Sequence, residues 1–136
     1  MAFADPGKDR QIIDSGVGAY PPTVTLAGAC VRGDVLGYSS GWKRALATVG
    51  TAIQGRVVAL ADGAIGDVIP VSPRAVVDGY TGATTGNPIY VAEGTSYGCV
   101  TETAPSTTGD CNTIVGYVLS ATVVLFNLTA RADSVA

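Results

Sequence analysis

Histidine is absent from all 136 residues. That absence removes Ser-His-Asp and Cys-His mechanisms in their usual form, and every His-ligated zinc site. Cysteine is sparse: Cys30, Cys99 and Cys111 form no C-x-x-C pair, so a zinc ribbon is excluded as well. Charged residues make up only 14% of the chain, eight basic against eleven acidic, for a net charge of −3. Lys43-Arg44 is the only adjacent basic pair. The concentrated basic footprint of a nucleic-acid-binding protein is therefore missing, and no nucleic-acid partner is expected. Long apolar runs are also missing: none approaches the roughly 18 residues of a membrane helix, so no membrane partner is expected. The opening MAFADPGKDRQIID carries charge and proline where a secretion signal needs a basic start and an apolar core. Synthesis in a cytoplasm follows as the expectation, with the three cysteines reduced and serving as small buried hydrophobes. A Cys99–Cys111 link across neighbouring strands is the alternative. Asn127-Leu128-Thr129 matches a glycosylation sequon, which without secretion carries no meaning.

Against these absences stand 18 glycines and a hydrophobic fraction of 47%. A chain this apolar without a membrane helix has a large core, apolar surface covered by partners, or some of both. Its length predicts one domain. Short apolar runs alternate with turn signals every eight to twelve residues or so, the pattern of an all-β barrel or sandwich. Strands are expected at 23–27, 35–38, 42–46, 53–61, 68–71, 74–80, 88–91, 97–101, 113–119 and 122–128. Pro70 marks its strand as an edge or a bulge. Three words recur: GDVL at 33–36, GDVI at 66–69 and GNPIYV at 86–91. Glycine supplies the positive φ of a tight turn, Asp or Asn hydrogen-bonds the turn, and an aliphatic residue opens the next strand. The core is expected to draw on Val24, Leu26, Val35, Leu36, Val57, Leu60, Val68, Ile69, Ile89, Val91, Ile114, Val118, Val124 and Phe126.

Residues 1–22 follow a different grammar, with prolines at 6, 21 and 22, scattered charge and no sustained period. They read as an extended N-terminal arm ahead of a β-domain over 23–128 and a short tail over 129–136. An extended arm must lie on something. Phe3, Ile12, Ile13 and Tyr20 are its large apolar and aromatic residues and its expected contacts to a neighbouring copy or another surface. On this view the β-domain folds without residues 2–20.

No constellation points to catalysis. Asp62, Asp67 and Asp78 are the carboxylates that a paired-carboxylate or calcium site would draw on, but turn residues facing water account for them better. Residues 81–87 are Gly-rich without the lysine and helix of a P-loop. Tyr38 and Trp42 form a candidate sugar platform, with core or intersubunit packing as the better use of each ring. No enzyme activity, cofactor or metal is expected.

The order of these pieces resembles a family: the small β-rich capsid decoration proteins of tailed bacteriophages, also called cement or head-stabilising proteins. The pieces are the early VTL strand, GDVL, then IQGRVVALADGAIGDVIPVSPRAVVDG, GNPIYVAEG and the closing NTIVGYVLSATVVLFNL. The resemblance implies a compact β-barrel or sandwich with no catalytic residues. It also implies a homotrimer bound to the major capsid protein on the outer surface of the virion. The arm and the three cysteines have no counterpart in it. A head fibre base, a tail-tube or head–tail connector subunit, and a carbohydrate-binding β module are the alternatives.

Overall fold

The repeated Gly-Asp words fold into one recurring turn. At residues 31–34 the Asp34 N–H donates to the Val31 carbonyl at 3.0 Å, and Gly33 takes φ +88°. This is a type II turn, whose third residue needs a positive φ and therefore glycine. The same closure, with glycine third, recurs at 48–51, 64–67, 84–87, 96–99 and 107–110. The structure, a computed structural model, describes residues 3–128, 130 and 132–136. Of the predicted tail, Thr129 and Arg131 lie outside the described residues.

The turns separate eleven strands, and no helix is present among the described residues. The fold is all-β, as the strand spacing predicts, and takes the sandwich form without closing into a barrel. Neighbouring strands pair antiparallel. One sheet has six strands in the order β1 (Gln11–Asp14), β7 (Val76–Asp78), β11 (Val123–Phe126), β10 (Ile114–Ser120), β8 (Pro88–Val91) and β9 (Val100–Thr101). The other has five: β2 (Thr23–Thr25), β6 (Val68–Ser72), β5 (Val57–Ala59), β3 (Val35–Tyr38) and β4 (Trp42–Arg44).

Successive side chains on a strand point to opposite faces, and that period of two builds two cores. Val35 and Val58 face the six-stranded sheet and meet Val77, Ile89, Val91, Val115, Val118, Val124 and Phe126 between the layers. Their neighbours Leu36 and Ala59 point the other way, into a second cluster with Leu26, Cys30, Ile69 and Val71. A single bridge from Leu26 to Trp42 draws the two edges of the five-stranded sheet together, so this sheet curls around its own core.

Nine of the fourteen expected core residues are buried, and Val24, Val57 and Leu60 pack partly buried against the clusters. Val68 and Ile114 are corrections: they are 64% and 42% exposed. Ile69 and Val71 take the inward positions of β6, which turns Val68 out. An irregular register between Ile114 and Gly116 gives the inward position to Val115. Pro70 is a correction as well, because β6 lies between β2 and β5 rather than at an edge. It is tolerated where the β5 ladder has ended at Ala59↔Val71, and its carbonyl accepts from the Leu60 N–H at 3.0 Å.

The ends belong to the same body. Ala4 bridges Thr81, and β1, read from sequence as part of an irregular arm, adds an edge strand to β7. In the tail, Ser134 bridges Cys111 and the Val135 N–H donates to the Asp110 carbonyl at 2.8 Å.

Phe126, fully buried, and Ile114, on the outer side of the adjoining strand, separate the two faces experimentally. Phe126→Ala is expected to cost about 3–5 kcal/mol of unfolding free energy and Ile114→Ala under about 1 kcal/mol. Urea denaturation of the two variants checks this; equal losses would contradict the burial assigned here.

Candidate functional site

On β10 the sequence IVGYVLS is apolar on both sides. Val115 and Val118 point into the core, while Ile114, Tyr117 and Leu119 point out and remain 42–48% exposed. Register extends the outer row across the sheet. Tyr117 lies between Leu125 of β11 and Pro88 of β8, Ile114 faces Tyr90, and Leu125 faces Val76 of β7. These neighbours are all half-buried. The outer face of the six-stranded sheet is therefore a continuous apolar and aromatic surface, centred on β10. At one end it falls into a cavity of about 540 Å³ lined by Ile114, Tyr117, Asn127, Asp133 and Ser134, among others. Scattered apolar side chains on a surface are ordinary; a connected sheet face of them marks a contact surface. The signal was present in the sequence: a strand that alternates apolar with apolar, rather than with polar, has two faces to cover.

The four arm residues singled out from sequence divide. Phe3 stacks on Tyr80, ring centroids 5.7 Å apart and planes 18° from parallel, and packs against the main core. Ile12 pairs with Val77 and packs against the same core. Both are thus engaged within their own chain. Ile13 and Tyr20 face outward, 58% and 96% exposed. Ile13 sits at the β1 irregularity, on the edge of the sheet that carries the apolar face.

What fastens the arm is Arg10, which the sequence presents only as part of an ordinary charged run. Its side chain is fully buried, between Asp5 and Asp34, which are 3% and 2% exposed. Nε donates to Asp5 Oδ1 and Nη1 to Asp34 Oδ1, both at 2.8 Å. Nη1 also reaches the Arg32 carbonyl at 3.2 Å, and Nη2 lies 3.7 Å from Cys99 Sγ. The remaining carboxylate oxygens are satisfied by backbone: Asp5 Oδ2 accepts from the Val100 N–H and Asp34 Oδ2 from the Val31 N–H, each at 3.0 Å. Gly33 makes room, since a Cβ there would stand 2.6 Å from Arg10 Cδ. Burial works against the guanidinium's charge, but Asp5, then Tyr80 and Asp34, hold its pKa above the usual arginine value. Burial pushes the Asp34 carboxyl up, and the Val31 N–H and Arg10 pull it part of the way back. These contacts argue against the expectation that the β-domain folds without residues 2–20. That truncation strips β1 from β7, uncovers Tyr80 and leaves Asp34 buried without its cation.

The remaining candidates do not assemble. Asp62 Oδ1 accepts from the Arg32 N–H, Asp67 Oδ2 from the Ala64 N–H and Asp78 Oδ1 from the Gly79 N–H, at 2.7–2.8 Å, so each carboxylate serves a different stretch of backbone. Among the described residues no three His, Cys, Asp or Glu side chains gather as a metal would require. Tyr38 and Trp42 meet edge to face at 80°, so they present no flat two-ring platform. The three cysteines are unpaired. Burial raises the thiol of Cys30 to about 11, and raises those of Cys99 and Cys111.

Two outcomes follow. Arg10→Met is expected to cost about 3–5 kcal/mol at pH 7, because it leaves two carboxylates buried without their cation. Without Arg10 the raised pKa of Asp34 rises further. A carboxyl whose folded pKa lies above its unfolded value makes the fold bind more protons, so the variant gains stability relative to wild type as pH falls. The gap should narrow from pH 7 to about pH 4; a pH-independent gap in chemical denaturation would refute it. The thiols, protonated at neutral pH, should react slowly with a disulfide reagent in the native protein and fully, at three equivalents per chain, after unfolding. Rapid labelling of native Cys30 would show the burial to be wrong.

No known protein family, curated protein or solved structure matches this chain, so its functional reading rests on its own residues.

Proposed function

We propose that this chain is a virion structural protein that decorates and stabilises the capsid of a tailed bacteriophage. In this reading a homotrimer sits on the outer surface of the shell and holds the major capsid protein through the outer face of the six-stranded sheet. The observation that carries the proposal is that face itself: Ile114, Tyr117 and Leu119 stand exposed on the central strand of a sheet whose neighbours there are apolar too. The order of the strand words supports it, since the pieces that resemble the decoration family run from the first strand of the β-domain to the last.

The energetics suit the task. A standard protein interface buries about 800 Å² on each partner. A decoration protein need not reach high affinity at each contact. A trimer that touches several capsid subunits converts its second and third contacts into intramolecular ones. Aromatic and aliphatic side chains on a rigid sheet lose little conformational freedom on docking, which keeps each contact favourable. Tyr20, 96% exposed beyond the edge, extends the surface available to the same partner.

Tyr117→Asp combined with Leu119→Asp is expected to leave the fold intact, since both side chains point away from the core. Occupancy on undecorated phage heads should fall by about tenfold or more, with the rupture temperature of the shell falling alongside. Tyr38→Asp, an exposed ring on the other sheet, is the control and should bind normally. Undiminished occupancy of the double variant would sink the assignment of this face. Failure of the wild-type chain to bind any phage head would sink the reading as a whole.

A further inference from the structure

The eleven strands carry four charged residues, and the signs are segregated. Asp14 and Asp78 belong to β1 and β7, at one edge of the six-stranded sheet, where Asp78 pairs with Gln11 and Asp14 with Val76. Lys43 and Arg44 belong to β4, an edge of the five-stranded sheet. None of the four forms an ion pair with another described residue. The acidic edge carries a projecting apolar side chain, Ile13, 58% exposed beside Asp14. The basic edge carries a hollow of about 210 Å³ lined by Gly28, Ala29, Lys43, Arg44, Ile53 and Tyr97. The Arg44 guanidinium is held over the Tyr97 ring, 5.8 Å from its centroid, which fixes a charge at the rim of that hollow.

We infer that copies of this chain associate head to tail, the acidic β1–β7 edge of one against the basic β4 hollow of the next. Ile13 enters the hollow, and Asp14 and Asp78 meet Lys43 and Arg44. The inference rests on the self-association that the decoration reading requires, and it names the surfaces. Charge complementarity selects a second copy as the occupant, because one chain carries both halves: a projecting aliphatic side chain flanked by carboxylates, and an apolar recess flanked by cations. Arg74, exposed just before β7, offsets part of the negative charge at the acidic edge but not both carboxylates. A contact between two different patches is heterologous; it closes into a ring or runs on as a filament according to the rotation between copies. Opposite charges at the rim set register and speed of encounter, while the buried aliphatic side chain supplies the apolar area.

Sedimentation velocity on the isolated full-length chain, without capsids, tests this. The wild type is expected to self-associate, more weakly in about 0.5 M salt than at low salt. Lys43→Glu with Arg44→Glu, and separately Asp14→Lys with Asp78→Lys, should each weaken association by about tenfold or more. Mixing the two reversed variants should restore it, because each then presents the complement of the other. Circular dichroism and thermal melting establish that each variant is folded. If the lysine pair at 14 and 78 does not fold, Ile13→Asp, on an exposed side chain, replaces it with the same expected loss. A monomeric wild type, or an oligomer indifferent to the charge reversals and to Ile13→Asp, would overturn the inference. Association that follows the charges in a chain that binds no phage head would uphold this contact and refute the capsid reading.

Discussion

A guanidinium cannot be buried alone, and that constraint organises much of this molecule. Arg10 comes from the N-terminal segment, Asp34 from the turn that opens β3, and Asp5 from the first residues of the chain, with Cys99 and the Val100 N–H closing the pocket from the β9 side. Arg10 lies between the two carboxylates and is ion-paired to both, at 2.8 Å each. The segment that supplies two of the three charges is thereby fixed in place. With Arg10 seated, Phe3 lies over Tyr80 and β1 falls into register on β7. The six-stranded sheet thus acquires its last strand through a polar knot at its end, while the apolar core fills its inner face.

That last strand matters to both proposed surfaces. The outer apolar face and the acidic edge both depend on a sheet that is complete and rigid. Ile13 and Asp14 are displayed at the edge because Ile12, their neighbour, is held inward against Val77. The arm is thus better described as an edge of the sheet than as a tether. In the proposed reading the surfaces divide the labour in the same way: a broad apolar face for a large partner, and two small charged edges for copies of the chain itself.

Much of the fold was legible because the physics is local. Type II turns demand glycine at the third position, and the words GDVL, GDVI and GNPI announce them. Ten of the eleven strands fall in or overlap stretches whose aliphatic residues and flanking turns mark them out. The eleventh, β1, was missed because QIID has no alternation of its own and sits among prolines and charges. Its partner β7 is more than sixty residues away, and only that pairing makes it a strand. The outer face was half legible: Ile114, Tyr117 and Leu119 stand out as apolar, but which of β10's two faces meets the core depended on an irregular register opposite β8.

By itself, then, the sequence determined the class of the fold, its turns and most of its strands. It also ruled out histidine-based chemistry, since those properties depend on residue type and on neighbours within a few positions. Tertiary structure alone decided three things. Arg10 became the buried centre of a charge network because Asp5 and Asp34 converge on it from either side in the chain. Val68 and Ile114 turned outward because strand register set the inward positions at Ile69, Val71 and Val115. The acids of β1 and β7 were set on one sheet and the bases of β4 on the other because strand order gathers residues from opposite parts of the chain. Burial, register and strand order are properties of pairs of distant segments, and no local window of sequence contains them.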